Sequence, residues 1–294
     1  MSQRIEILAV LLVAALTGWG LAVSADEATS GDRSPQARAA EEEFFAVFNG
    51  EPRRREGPLR NLMIAWLGDR QDGRTALLLG LNHLWLAAEG DRTNPRLVEH
   101  LLLSERFLSQ AQELLPEDER IASWLLPVRL ALAEDVGERE SLMDELMAAY
   151  RQDPNFHSFS VALQSFSDRP GTQPFERGLA ALRSATGGCN DDPGDVSCLN
   201  RPRWPHNQEG YLTFFADYEL KAGHPQRARE LLLATRSAES FSRWPFRDEA
   251  EDRLENLELY AELFANDDPG DDPPTFFTGG SRIGCQVCHL GASD

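Results

Sequence analysis

Apolar side chains recur at every third or fourth position through most of the chain from residue 59 onward, a spacing typical of amphipathic helices. The clearest example is the leucine-rich stretch over residues 74–89, which Gly90 ends. Prolines interrupt the pattern, above all at Pro116 and Pro154. No long alternating run is flanked by hairpin turns, so the sequence predicts an all-α fold.

The predicted helices share this periodicity and end at turn-forming residues. They cover residues 59–67, 74–89, 95–115, 119–134, 138–152, 155–166, 174–185, two segments within 211–235, and 244–264. Pro116 and Pro154 lie 38 residues apart, which accommodates two helices and two turns. This spacing favours a solenoid of helical hairpins, in which each hairpin buries its apolar face against the next.

The segment over residues 211–235 carries large residues in its first half, a glycine at the turn and small alanines in its second half. These residues are Tyr211, Leu212, Ala216, Tyr218, Ala222, Gly223, Ala228, Leu231 and Ala234. The pattern resembles a tetratricopeptide repeat, although the usual Trp and the Pro after the second helix are missing. The resemblance implies a helical-hairpin solenoid, and an irregular helical bundle remains the alternative.

The first 25 residues predict a targeting segment. Arg4 precedes an apolar run over residues 7–16, which suits the core of a signal peptide and is short for a bilayer span. Val23-Ser24-Ala25 then offers small residues at which a signal peptidase would cut. Cleavage and retention as an anchor both remain open, and membrane association is expected only through this segment. In both cases we expect an exported, periplasmic protein.

Composition divides the remainder of the chain into a linker, a body and a tail. Residues 26–40 are rich in small and polar side chains and predict a loose linker. The helical pattern occupies residues 41–265. An acidic, proline-rich linker over residues 266–278 cannot continue a helix and leads to a tail over residues 279–294.

The tail contains the sequence Gly284-Cys285-Gln286-Val287-Cys288-His289. Two thiols at this spacing can add to the two vinyl groups of one haem, and the adjacent imidazole can bind its iron. The motif resembles the haem-attachment site of c-type cytochromes. The resemblance implies one covalent haem c held by Cys285 and Cys288, His289 as the proximal iron ligand, and electron transfer. The export signal agrees, because this haem is attached outside the cytoplasm.

Three other interpretations of the cysteine pair remain open. It could form a structural disulfide, a thioredoxin-like redox pair without the usual βαβ context, or half of a zinc site. The resemblance to c-type cytochromes covers the motif alone. A small cytochrome c domain begins with its motif and supplies a methionine ligand later, whereas here five residues follow His289 and none is Met. The fold of that family is therefore not implied.

The second axial ligand of such a haem has one candidate in an irregular segment. His206 follows Trp204-Pro205, and the aromatic neighbour could pack on a porphyrin. An open or water-occupied position is the alternative. Apart from Met1 in the targeting segment, the remaining methionines and histidines are Met63, Met143, Met147, His83, His100, His157 and His224. The methionines are expected in the core, the first three histidines as solvated or capping residues of helices, and His224 as a solvated turn residue.

Cys189 and Cys198 bracket an irregular loop of eight residues. In an exported protein this spacing predicts a disulfide that closes the loop. The loop sequence Asn-Asp-Asp-Pro-Gly-Asp recurs at residues 266–271. Its spacing does not match the calcium loop of an EF-hand, so ordinary turn chemistry is expected at both places.

Charge limits the partners. The 294 residues include 48 acidic and 29 basic ones, for a net charge of −19, and removal of residues 1–25 leaves this charge unchanged. Such a surface repels a phosphate backbone and argues against nucleic-acid binding. It would attract a basic redox partner. Arg53-Arg54-Arg55 is a short basic cluster for which a solvated loop is expected, with a contact to haem propionates as the alternative.

These observations lead to three hypotheses on function. The first is an exported monohaem c-type cytochrome-like electron carrier whose helical body is a docking platform. The second is a tetratricopeptide-like interaction scaffold without a redox role, because solenoids present concave binding surfaces. The third is a haem enzyme of the peroxidase type, which requires an open sixth position and a distal acid–base group. No Ser-His-Asp, phosphate-loop or His-Glu-x-x-His signature is present, so the first hypothesis is favoured.

Overall fold

The computed structural model describes residues 33–50, 56–88, 96–118, 120–152, 154–185, 208–266 and 271–273. These residues form twelve α-helices and a short 3-10 turn at Phe241–Arg243, without a strand, which confirms the all-α prediction. The helices are α1 (Pro35–Gly50), α2 (Glu56–Gly68), α3 (Gly73–Ala88), α4 (Leu97–Leu114), α5 (Arg120–Leu132), α6 (Val136–Gln152), α7 (Pro154–Ser165), α8 (Gln173–Ala185), α9 (Gln208–Lys221), α10 (Pro225–Arg236), α11 (Arg247–Glu255) and α12 (Leu257–Ala265).

The helices pack mainly on their neighbours in the chain. The most extensive contacts join α3 to α4, α7 to α8, and α9 to α10. Helix α12 returns to contact both α9 and α10. Consecutive helices therefore pair as hairpins in chain order, and the last hairpin is closed by the final helix.

Two apolar clusters hold the described helices together. The larger one runs from α1 to α12, and its bulkiest fully buried members are Trp66, Tyr211, Tyr218, Phe166, Phe175, Phe214 and Phe215. The smaller one lies among α5, α6, α7 and α8, with Leu126, Leu130, Leu142, Leu146, Val161 and Ala181. Burial of this much apolar surface is the main stabilising contribution to the fold.

Helix α8 lies close to α7 and α9 at Gly178. A Cβ atom at this position would meet the hydroxyl groups of Tyr218 and Ser165 and lie 3.1 Å from Cα of Ala162. The glycine therefore allows the hydroxyl of Tyr218 to donate a hydrogen bond to the carbonyl of Phe175 at 3.3 Å. This contact ties α8 to α9, the helix that carries the charged groups described below.

The turn between α9 and α10 has the geometry that its sequence predicts. Gly223 has a φ of +79°, which glycine adopts without strain. The amide of His224 donates to the carbonyl of Glu219 at 2.8 Å, and Pro225 begins α10. The chain thus reverses directly after Lys221.

The first helix begins earlier than composition predicts. Residues 26–40 are predicted to be a linker, but α1 begins at Pro35, so this prediction is wrong for residues 35–40. The amide of Ala37 donates to Oγ of Ser34 at 3.1 Å, which caps the new helix. Ala37 and Ala40 are only 2% and 3% exposed, and their burial against the core explains why the helix extends this far.

The last predicted helix is two helices. The apolar pattern predicts one helix over residues 244–264, but α11 ends at Glu255 and α12 begins at Leu257. Asn256 separates them, and its side-chain amide donates to the carbonyl of Asp252 at 3.1 Å and to its carboxylate at 2.7 Å. Asparagine competes with the helical backbone for hydrogen bonds in this way. The spacing of apolar residues continues across Asn256, so it does not predict the break.

Candidate functional site

Every residue predicted to attach or bind haem lies outside the described residues. The same holds for the predicted disulfide and the arginine cluster: Cys285, Cys288, His289, His206, Cys189, Cys198, Arg53, Arg54 and Arg55. What the structure describes is residues 271–273, where the chain leaves the helical body toward the tail. We call these three residues the tail root.

The tail root contacts the end of α9 through an ion pair. Nζ of Lys221 lies 3.6 Å from Oδ2 of Asp272. The ammonium also lies 5.1 Å from the ring centroid of Phe166, within range of a cation–π interaction. The Lys221 side chain is 9% exposed, and Pro273, the residue after Asp272, is buried. The tail root is therefore packed on the body at this point.

Other charged groups surround this lysine. Burial lowers the pKa of Lys221, and the carboxylates of Asp272 and Asp168 oppose that change. Burial raises the pKa of Asp168, and the cations of Arg139 and Lys221 oppose it. The lysine thus has acidic neighbours from the α7–α8 turn and from the tail root.

Beneath Lys221 lies a chain of aromatic rings. Phe166 packs against Tyr218 with ring centroids 5.2 Å apart, and Tyr218 packs against Phe175 at 4.8 Å. Phe214 continues the chain from Phe166 at 5.8 Å to Phe159 at 4.8 Å. These rings give the end of α9 a rigid apolar support.

Glu219, the residue after Tyr218, carries a buried carboxylate. Glu219 is fully buried, and Arg183 donates to both of its oxygens, from Nε at 2.8 Å and from Nη2 at 2.6 Å. Nδ1 of His224 lies 2.8 Å from Oε2 of the same carboxylate. The hydrogen bond with Glu219 raises the pKa of Arg183. The arginine therefore holds the carboxylate, and the carboxylate orients the imidazole.

The His224 ring is 47% exposed, which confirms the prediction of a solvated turn histidine. Nη2 of Arg183 lies 3.1 Å from its Nδ1, but the same Nη2 donates to Glu219 at the shorter distance. Nδ1 of His224 therefore faces both an acceptor, the Glu219 carboxylate, and a donor, the Arg183 guanidinium.

The other described histidines are buried or partly buried. His83 is 4% exposed and His157 is 3% exposed, so the prediction of solvated or capping residues is wrong for both. Almost all described side chains of α3 are buried, so the helix leaves no solvent face for His83. Its Nδ1 lies 3.0 Å from Nδ1 of His100, and its ring stacks on Phe107 with centroids 5.9 Å apart.

The methionines occupy the apolar positions that the sequence predicts for them. Met63 packs against the larger cluster. Met143 and Met147 pack against the smaller one. Among the described residues no three histidine, cysteine, aspartate or glutamate side chains form a metal-binding group.

Asn266, at the end of the helical body, and Asp271, in the tail root, are joined by hydrogen bonds. The side-chain amide of Asn266 donates to the carboxylate of Asp271, with 3.0 Å to each oxygen. Residues 267–270 lie outside the described residues, so the turn chemistry predicted for residues 266–271 stays a prediction. The link from Asp272 to Lys221 is not predicted by the sequence pattern. The available signal was that Lys221 is the only lysine among 29 basic residues.

Comparison of the chain with protein-family models, with curated proteins and with solved structures finds no match. Within the part of the chain that the structure describes, no helix has the length and apolar character to cross a bilayer.

Proposed function

We propose that this chain is an exported monohaem c-type cytochrome-like protein that transfers electrons. The observation that carries the proposal is the sequence Cys285-Gln286-Val287-Cys288-His289. Its donor set fits haem c, because two thiols and one imidazole are the groups that hold this cofactor. Cys285 and Cys288 would attach the haem, and His289 would bind its iron. When bound, the group supplies a site that gains and loses one electron.

The helical body contributes position and charge to this function. The ion pair between Lys221 and Asp272 holds the tail root against α9, so the attachment motif is tethered to the body by a short segment. The net charge of −19 favours a basic redox partner, because opposite charges steer the two proteins together. The targeting segment over residues 1–25 supports a periplasmic location. The protein would be released there if the segment is cleaved, or anchored to the membrane if it is retained.

Haem staining in a denaturing gel tests the proposal. The chain is expressed in a host with a haem-attachment system, and a stained band is expected at the mass of the chain. The double variant Cys285→Ala, Cys288→Ala should lose covalent attachment, because no thiol of the motif is left to form a thioether. Cys189→Ala is the matched control and should stain like wild type. Unstained wild-type protein would refute the proposal.

A second candidate function rests on the paired helices. An interaction scaffold is favoured by the hairpins of the described body and by exposed apolar residues on two of its helices, Leu67 at 60% and Leu102 at 54%. In that case the tail cysteines would form a disulfide. Deletion of residues 279–294 separates the two functions, because a scaffold keeps its partner binding and an electron carrier loses its redox centre.

A further inference from the structure

We propose that one exposed side of α2, together with the arginine that follows the helix, is a docking surface for an anionic phospholipid bilayer. We call it the α2 surface, and it consists of Arg60, Ile64, Leu67 and Arg70. The inference rests on the proposed periplasmic location and not on the haem. The sequence pattern predicts membrane association only through residues 1–25, so the α2 surface is an additional contact.

The centre of the α2 surface is an exposed apolar pair. Ile64 is 46% exposed and Leu67 is 60% exposed. Arg60, Ile64 and Leu67 follow one another at steps of four and three residues, so they lie on the same side of the helix. The other side is held in the core by Leu62 and Trp66, which are both fully buried. The helix therefore cannot rotate to bury the apolar pair, which stays available to a partner.

An arginine lies on each side of this apolar pair. Arg60 is exposed one helical turn before Ile64. Arg70 is exposed just after the helix, and its guanidinium lies 5.4 Å from the ring centroid of Trp66, so it extends along the end of α2. Apolar side chains between cations match the surface of a bilayer, because the apolar groups enter the acyl boundary while the cations meet the lipid phosphates.

Local charge favours this partner in spite of the net charge of −19. At 0.15 M salt a charge is screened beyond about 8 Å, so distant carboxylates have little effect on the α2 surface. Two carboxylates lie near it, and both accept hydrogen bonds within the protein. Asp69 accepts from the amide of Gln71 at 2.9 Å, and Glu43 on α1 accepts from the side-chain amide of Asn61.

The size of the apolar pair also favours a bilayer. A stable protein–protein interface buries about 800 Å² on each partner, which is far more than two partly exposed side chains supply. Insertion into a bilayer requires only a few apolar side chains beside cations. The pair is therefore too small for a stable dimer and sufficient for a peripheral membrane contact.

The N-terminal end of the described chain is fastened next to this surface. Nε of Arg33 donates to both carboxylate oxygens of Asp72, at 3.1 and 3.0 Å. Nη2 of Arg33 donates to Oγ1 of Thr75 at 3.2 Å, and the guanidinium also pairs with Glu41. Asp72 is 5% exposed and is four residues after Gly68, which ends α2. Arg33 is therefore fixed near the end of α2.

The distance along the chain from this point to the targeting segment is short. Arg33 is eight residues after Ala25, at which the proposed targeting segment ends, and eight residues span at most about 28 Å. While that segment is in the membrane, before cleavage or as a retained anchor, Arg33 and the adjacent end of α2 stay within this reach of the bilayer. The tether therefore gives the lipid surface a high effective concentration at the α2 surface.

Hydroxyl-radical footprinting of the full-length protein tests this inference. The protein is mixed with vesicles of phosphatidylcholine alone, or with vesicles in which about one quarter of the lipid is phosphatidylglycerol, and mass spectrometry measures the labelling of Ile64 and Leu67. A retained anchor enters both kinds of vesicle, so only the difference between them reports on the α2 surface. We expect about threefold less labelling of both residues on the anionic vesicles, and a smaller difference at high salt.

Three variants separate the apolar and the basic contributions. Arg70→Gln should increase about fivefold the concentration of anionic lipid that protects Leu67, which is the contribution of one arginine near such a surface. Ile64→Ser should return the labelling of Leu67 on anionic vesicles to its value on phosphatidylcholine. Leu259→Ser is the matched control, because it replaces a side chain that is 50% exposed on α12, and it should leave the protection unchanged. All three should keep the helical circular dichroism of wild type, since each side chain is exposed.

The outcomes distinguish this inference from the proposed function. Equal labelling of Ile64 and Leu67 on the two kinds of vesicle overturns the docking surface. Protection that needs no vesicles and increases with protein concentration also overturns it and assigns the surface to a second copy of the chain. The labelling does not require haem, so protein without covalent haem that is protected on anionic vesicles refutes the electron carrier and supports this inference. Haem-loaded protein without protection does the reverse.

Discussion

The Nδ1 atoms of His83 and His100 lie 3.0 Å apart at the interface between α3 and α4, the most extensive helix pair in the described structure. One ring must donate and the other accept, so the pair requires at least one neutral imidazole. Burial, together with the charge of His100, lowers the pKa of His83 to about 4. The α3–α4 hairpin is therefore most stable when His83 is neutral.

The free energy of unfolding should decrease as the pH is lowered, because of His83. An unfolded histidine titrates near pH 6.5, so the unfolded state binds the proton more readily than the folded state, whose His83 pKa is about 4. The stability is complete above pH 6.5 and is lost as the pH falls toward 4. Between pH 7 and pH 5 the free energy of unfolding should drop by about 2 kcal/mol.

Urea unfolding of wild type and of His83→Leu at pH 7 and pH 5 measures this contribution. The variant lacks the titrating ring, so its free energy of unfolding should change by about 2 kcal/mol less over the same interval. Equal pH dependence of the two proteins would show that His83 does not carry the effect.

The ion pair between Arg253 and Asp217 should be costly to break on one side. Nε of Arg253 donates to Oδ1 of Asp217 at 2.7 Å and Nη2 donates to Oδ2 at 3.1 Å, with both side chains nearly inaccessible. Burial raises the pKa of Asp217, and the arginine opposes this. Arg253→Met leaves a buried carboxylate without its cation and should destabilise the fold by about 3–5 kcal/mol.

The control for this pair is the double variant Asp217→Leu, Arg253→Met. It removes both charges, so it should recover most of the stability that the single variant loses. Thermal unfolding followed by circular dichroism measures both. A double variant as unstable as the single one would mean that packing, and not the uncompensated charge, causes the loss.

The contact between Lys221 and Asp272 can be tested in solution by zero-length cross-linking. A water-soluble carbodiimide joins an amine to a carboxylate that touches it, and Lys221 is the only lysine in the chain. Peptide mass spectrometry of the full-length protein should find Lys221 linked to Asp272. This experiment does not depend on haem.

Two neighbouring variants serve as its controls. Asp272→Asn should abolish this cross-link. Asp271→Asn should retain it, because the wild-type carboxylate of Asp271 binds Asn266 and not Lys221. Equal modification of Lys221 by an amine reagent in the native and the denatured protein would contradict a packed tail root.

Much of the body could be predicted from local pattern. The helix predicted over residues 74–89 is observed as Gly73–Ala88, because its leucines recur at helical spacing and are buried in the core. The pairing of His83 with His100 could not be predicted, because periodicity indicates that a face is buried but not which residue it meets. The contact from Lys221 to Asp272 was missed for the same reason, since 51 residues separate the two.

The rate of electron transfer should change with ionic strength, and the acidic surface determines whether a given reagent reacts more slowly or faster as salt is added. The net charge of −19 attracts cations, and this attraction weakens as the screening length falls from about 30 Å at 0.01 M salt to about 8 Å at 0.15 M. Oxidation of the reduced protein by a cationic cobalt complex should slow several-fold over this range. Oxidation by ferricyanide, an anion, should accelerate, and stopped-flow rates independent of salt for both reagents would contradict the steering argument.

The intact mass of the purified, exported protein tests the central claim most directly. We expect the mass of the polypeptide plus one haem, retained after denaturation and absent when Cys285 and Cys288 are both replaced by Ala, while Cys189→Ala keeps it. A wild-type mass equal to the chain alone, with Cys285 and Cys288 joined as a disulfide, would contradict a haem protein and favour the interaction scaffold.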